Sequence, residues 1–195
     1  MVIALALAFP GAGRAEPTVL GQTGLISMPD ARLERDGSFR LGFSNFDPYS
    51  TLWSSVTVLP RLELSARYTT IDNISVFEDG DNVGDFRDKA FDAKLVLLPE
   101  GEHLPQLAVG AQDFHGTRLF SAEFVTLSKR IGALDLTLGY GSDRLDGGFG
   151  GLRYQPAWAG NLGLVVEYDA NDYRRDHEAA LSGAAERAGG VTYAL

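Results

Sequence analysis

Three separated stretches of this chain share one form, Leu-x-Leu-x-apolar-x-Tyr: "LELSARY" (Leu62–Tyr68), "LDLTLGY" (Leu134–Tyr140) and "LGLVVEY" (Leu162–Tyr168). Period-2 alternation puts the leucines and the closing tyrosine on one face of a strand and the polar residues on the other. The same alternation runs through Phe39, Leu41 and Phe43 against Arg40, Gly42 and Ser44, and through Phe91, Ala93, Leu95 and Leu97 against Asp92 and Lys94. Helical periodicity is weak nearly everywhere. The one candidate helix is Asp176 to Ala188, interrupted by Gly183.

Read in this way, the chain predicts about ten short strands, at 38–46, 52–58, 62–68, 89–98, 107–113, 120–130, 134–140, 149–154, 162–168 and 188–195. Connections after odd-numbered strands fall at 47–51, 69–88, 114–119, 141–148 and 169–187; those after even-numbered strands fall at 59–61, 99–106, 131–133 and 155–161. The two longest therefore share one end of the sheet and the two tightest the other. An antiparallel meander with long loops at one rim and short turns at the other is the layout of an all-β, up-and-down transmembrane β-barrel. The three tyrosine strands are all odd-numbered, so they run in one direction and set Tyr68, Tyr140 and Tyr168 at the long-loop rim as an aromatic girdle. A tyrosine ring suits a membrane boundary because its body is apolar and its hydroxyl needs a polar partner. In such a barrel Glu63, Arg67, Asp92, Lys94, Asp135 and Glu167 line the lumen, with opposite charges able to pair across strands. Alternation alone does not say which face points inward, so a soluble periplasmic β-barrel that binds an apolar ligand is the competing reading.

The 195 residues suffice for one domain. A net charge of −9, a pI near 4.7 and no Lys/Arg cluster argue against a nucleic-acid partner. Cysteine is absent, which removes disulfides, thiolate metal sites, a cysteine nucleophile and an acylated cysteine from consideration within these residues. The opening "MVIALALAFPGAGRAEP" has a short apolar core, Val2–Phe9, a Pro10-Gly11 break, and small residues Gly13 and Ala15 placed for cleavage before Glu16. It reads as a signal peptide over 1–15, though without a positive n-region. Residues 16–37 then form an N-terminal segment that enters the lumen or lies beneath it, and 38–195 form the barrel.

No catalytic site is expected. The three histidines, His103, His115 and His177, fall in predicted connections, and no G-x-S-x-G elbow exists. His115 beside Asp113 is the least unlikely base. The loop Asp72–Asp88 gathers carboxylates, but not at EF-hand spacing, and reads as a solvated acidic loop. Neither a metal nor a cofactor is expected.

The stretch "GQTGLISMPDARLERDGSFRLGFSNFDPYS" (Gly21–Ser50) resembles the start of the YjbH family of outer-membrane β-barrel proteins, linked to exopolysaccharide production. Further matching segments are "RLELSARYT", "DKAFDAKLVLLPEGEHLPQLAVGAQDF", "GTRLFSAEFVTLSKR" and "LDLTLGYG", in the expected order over about residues 21–154. The resemblance implies an outer-membrane location in a Gram-negative bacterium and a non-catalytic part in exopolysaccharide secretion or assembly. Its implied partners are outer-membrane lipid, lipopolysaccharide, polysaccharide and other export proteins. The chain departs from the family in being shorter than its usual members, and in carrying His115 and Arg118 where glycines are more typical.

Overall fold

A computed structural model describes residues 2–8, 15–71, 86–160 and 162–176, with 2–8 described at the level of the backbone. The strands are β1 (Val2–Ala8), β2 (Glu16–Pro17), β3 (Thr23–Gly24), β4 (Phe39–Phe46), β5 (Tyr49–Leu59), β6 (Leu62–Ile71), β7 (Phe86–Leu98), β8 (Gln106–Gly116), β9 (Ala122–Ile131), β10 (Leu134–Asp143), β11 (Gly147–Tyr154) and β12 (Gly163–Asp169). All pairings are antiparallel. The large sheet has the order β1-β12-β11-β10-β9-β8-β7-β6-β5-β4, and β2 pairs with β3 in a small separate ladder.

Every strand from β4 to β12 lies where alternation places one. Several are longer than expected: β7 runs 13 residues and β8 runs 11. The expected strand at 188–195 and the expected helix at 176–188 lie outside the described residues, apart from Asp176. That residue is the last described one of a helical stretch that begins at Tyr173. Asp172 opens this stretch by accepting hydrogen bonds from the backbone of Arg174 and Arg175. Val2–Ala8, within the segment read as a leader, is placed as a strand against β12, from Val2 opposite Asp169 to Ala8 opposite Gly163.

Among the described residues the sheet does not close into the expected barrel: it runs from β4 at one edge to β1 at the other, and no described strand pairs across the gap. The loop pattern also needs amending. The upper rim, where β4, β6, β8, β10 and β12 end, carries the long connection 72–85, but also the two-residue turn 47–48 and the three residues 144–146. At the lower rim the turns 60–61 and 132–133 are tight, as expected.

The two faces of the sheet differ in the reverse of the usual sense. The polar face is covered and the apolar face is bare. Phe39, Leu41, Phe43, Leu138 and Tyr140 keep 68%, 66%, 66%, 71% and 64% of their surface exposed, while Thr51, Ser55, Thr57, Ser65, Thr69, Thr126, Ser128 and Thr137 are buried. The covered face is built closely enough to need glycines. Gly42, Gly110 and Gly139 stand opposite Trp53, Phe124 and Phe149 on the neighbouring strands. A Cβ on any of these glycines would sit 2.2–2.3 Å from the facing ring. Phe124 thus points inward and Val125 outward, which settles the orientation of β9, the least regular strand in the sequence.

Candidate functional site

What covers the polar face is the segment before β4. Residues 18–33 form a strap that lies across the inner side of the sheet, turned by the small β2–β3 ladder and by bonds such as Leu25 N to Met28 O at 2.8 Å. Its apolar side chains go inward: Leu25 and Met28 pack with Ala122, Phe124, Leu145, Phe149 and Val165, and Ala31 packs with Val96 and Ala108. Its backbone polar groups cannot reach solvent there, so side chains of the sheet must satisfy them.

They do so strand by strand. Glu63 on β6 accepts the backbone N–H of Thr23 at 2.7 Å and also the Thr23 hydroxyl; Arg40 on β4 donates to the same hydroxyl at 2.7 Å. Lys94 on β7 donates to Thr23 O at 2.6 Å and has Asp30 at 3.8 Å and Glu63 at 4.0 Å. Gln106 on β8 donates to Ala31 O at 2.6 Å, and Ser128 on β9 accepts from Ala31 N at 2.9 Å. Asp135 on β10 holds Arg32 by two bonds, 3.0 and 2.7 Å. Arg153 on β11 donates to Gly24 O at 2.7 Å and lies 3.7 Å from Asp30. Glu167 on β12 accepts from the backbone of Ile26, Ser27 and Met28 at 2.9, 2.8 and 3.2 Å. A carboxylate gathering three N–H donors is a strong, charge-assisted clamp.

All six residues expected to line a lumen are therefore on the covered face, each buried to 5% exposure or less. Glu63, Lys94, Asp135 and Glu167 bind the strap. Arg67 and Asp92 instead pair with each other at 2.5–2.6 Å, and Asp92 also takes the Asp113 N–H at 2.7 Å. The tyrosines lie on the bare face, Tyr68 half-buried and Tyr140 and Tyr168 exposed, each within three residues of the upper end of its strand. They do not share a hydrogen-bonded row. From Tyr140 the row passes through Val125, Val109 and Leu95 to Leu62, six residues below Tyr68. Tyr168 falls on the row of Leu138, two below Tyr140. The steps run in one sense around the sheet, as they do when strands tilt against a common axis.

Burial raises the Asp30 carboxyl above its ordinary range, with Lys94 and Arg153 opposing. Burial pulls the Arg32 guanidinium down, but Asp135 and Glu100 more than offset it, so the net shift is upward. Glu100, at the lower rim, is held below its ordinary value. Its partial desolvation is outweighed by the Arg130 N–H and by Arg32, at 2.8 and 2.6 Å.

Asp113 and His115 are not brought together: Asp113 turns inward and is fully buried, while His115 is exposed and faces the Phe91 ring at 5.9 Å. His103 is exposed at the lower rim, and His177 lies outside the described residues, as do residues 72–85 of the acidic loop; Asp88, within β7, is buried. Sequence reading missed Asp30, Arg32, Arg40, Gln106, Ser128 and Arg153 as strap contacts. Arg40, Ser128 and Arg153 sit at polar positions of alternating strands, a signal that was available; the strap residues have no periodicity to betray them.

These features define an all-β architecture: a wide antiparallel sheet, apolar outside, whose polar inner face is covered by an N-terminal strap. The chain belongs to the YjbH family, whose model, described as exopolysaccharide biosynthesis protein YbjH, matches residues 17–148 and 145–195. It is similar to the uncharacterized lipoprotein YjbH of Escherichia coli (strain K12), with 35% identity over 205 residues, covering 83% of this chain and 29% of that relative. The chain thus spans less than a third of the relative's length. No solved structure matches it.

Proposed function

We propose that this chain is part of an outer-membrane β-barrel that assists exopolysaccharide secretion or assembly without catalysis. The observation that carries the reading is the inverted sheet. A face bearing Phe39, Leu41, Phe43, Leu136, Leu138 and Tyr140 is bare, while Glu63, Arg67, Asp92, Lys94, Asp135 and Glu167 on the opposite face of the sheet are buried. Water would not tolerate so large an apolar surface uncovered, whereas lipid supplies its cover. In this reading the leucines face acyl chains, Tyr68, Tyr140 and Tyr168 lie at the outer boundary, and lipopolysaccharide meets the upper rim. The strap fills the lumen and ties β4 through β12 into one unit, so the resting state is plugged. Export brings the chain to the envelope, with residues 1–15 as a removable leader. The naming of the Escherichia coli relative as a lipoprotein and the family's exopolysaccharide description support the location and the process.

Extraction tests this. The chain expressed in a Gram-negative host is expected in the outer-membrane fraction, released by detergent, with a gel mobility that changes on heating. A product soluble without detergent and indifferent to heating contradicts the reading and favours a soluble periplasmic β protein.

A further inference from the structure

Folding brings basic residues from two separate stretches to one place. Arg87 and Lys89 lie at the upper end of β7, His115 at the upper end of β8 and Arg118 just beyond it; all four are exposed. Arg87 and Lys89 stand on the bare face, opposite Thr70 and Tyr68 of β6, and His115 stands opposite Phe91, whose ring it meets at 5.9 Å. The Thr117 N–H donates to Lys89 O at 2.9 Å and the Lys89 N–H to the Thr117 hydroxyl at 3.1 Å, which sets Arg118 beside this end of β7.

Positive charge is left over here, in a chain of net charge −9. Asp88 and Asp113, the carboxylates of the same strand ends, are turned to the covered face and fully buried. Glu123, on the bare face of β9, lies two strands across and four residues lower than Lys89, in register with Ala111 and Ala93. Among the described residues Arg87, Lys89 and Arg118 form no ion pair.

Height on the sheet decides what such a patch can meet. Lys89 stands level with Tyr68 and Arg87 two residues above it, so in the barrel reading these cations lie where acyl chains give way to headgroups. An arginine fork pairs with phosphate oxygens by two bonds, and lysine adds a point charge. Below them the face is apolar again. From Ala93 a groove of about 520 Å³ opens, lined by Leu62, Leu95, Val109, Val125 and Tyr140. Cations above an apolar groove complement an anionic head carried on acyl chains.

We propose that Arg87, Lys89, His115 and Arg118 bind the phosphate group of an outer-leaflet glycolipid whose acyl chain lies in this groove. The inference rests on the membrane-barrel reading and gives the lipid a site on one side of the sheet.

Native mass spectrometry of the full chain, extracted in detergent and titrated with bisphosphorylated lipid A, tests it. Lipid A is expected to bind as a discrete adduct, and Arg87→Gln, Lys89→Gln and Arg118→Gln each to weaken it about fivefold while keeping heat-modifiable mobility. Lys89→Arg, which keeps the charge, and Arg61→Gln, at the exposed lower-rim turn, should bind as the parent does. Dephosphorylated lipid A should bind weakly, and inorganic phosphate should not displace the intact lipid. Binding that ignores all three substitutions, or the loss of phosphate, overturns the proposal. Full displacement by inorganic phosphate also overturns it and marks a site for the free anion. A parent chain without heat-modifiable mobility overturns the barrel reading itself, a result obtained before any lipid is added.

Discussion

Glu167→Ala should unlatch the strap while leaving the sheet intact. Glu167 is 1% exposed and its carboxylate receives the N–H groups of Ile26, Ser27 and Met28 at 2.9, 2.8 and 3.2 Å. A hydrogen bond to a charged group contributes about 1.5–3 kcal/mol, but three donors share one carboxylate. Ile26 and Ser27 are only partly buried and recover some hydration when released. A loss of about 3 kcal/mol is therefore expected, which raises the open population roughly 100-fold. Ala31→Cys reports it: Ala31 is fully buried on the strap, so a maleimide reaches this cysteine only when the strap lifts. The labelling rate should rise roughly 100-fold in Glu167→Ala and by an intermediate factor in Glu167→Gln, which keeps one acceptor oxygen. Unchanged heat-modifiable mobility shows that the sheet has not melted. A rise below about threefold with the sheet intact would refute the reasoning and assign the latch to the apolar packing of Leu25 and Met28.

Two further outcomes follow from the packing and the lower-rim charges. Gly139→Val drives a side chain into the Phe149 ring, where even a Cβ comes within 2.3 Å; overpacking of this kind costs about 1–3 kcal/mol and should lower the denaturant midpoint. The Glu100 carboxyl is held below its ordinary value in the fold, so it contributes stability that is present above its unfolded pKa and lost as pH falls through the folded one. Glu100→Gln should accordingly be less stable at neutral pH and should lose stability less steeply on acidification, as followed by urea melts at a series of pH values.

Strand positions were legible because a sheet with one polar and one apolar face writes its period into the chain. In β6, Glu63, Ser65 and Arg67 alternate with Leu64, Ala66 and Tyr68, and only the inside–outside sense was missing. That sense depends on what covers each face, which no single strand encodes. The strap was harder to read. Thr23 to Arg32 have no period because an irregular segment is satisfied contact by contact, by Glu63, Lys94, Ser128, Arg153 and Glu167 from five different strands. Val2–Ala8 shows a related ambiguity, since a short apolar run suits a leader and a buried strand equally well. The His115–Asp113 pair failed for a local reason. Asp113 adopts a positive φ of 48° where the β7–β8 register shifts, which turns it inward to Phe120 N while His115 stays outside.

Site-directed spin labelling of the bare face tests the central claim most directly. A nitroxide on Leu138→Cys, in the otherwise cysteine-free chain folded into lipid vesicles, should collide readily with dissolved oxygen and hardly at all with a water-soluble nickel chelate. Preferential collision with the nickel chelate at Leu138, in a chain whose strap remains protected, would place the apolar face in water and contradict the account.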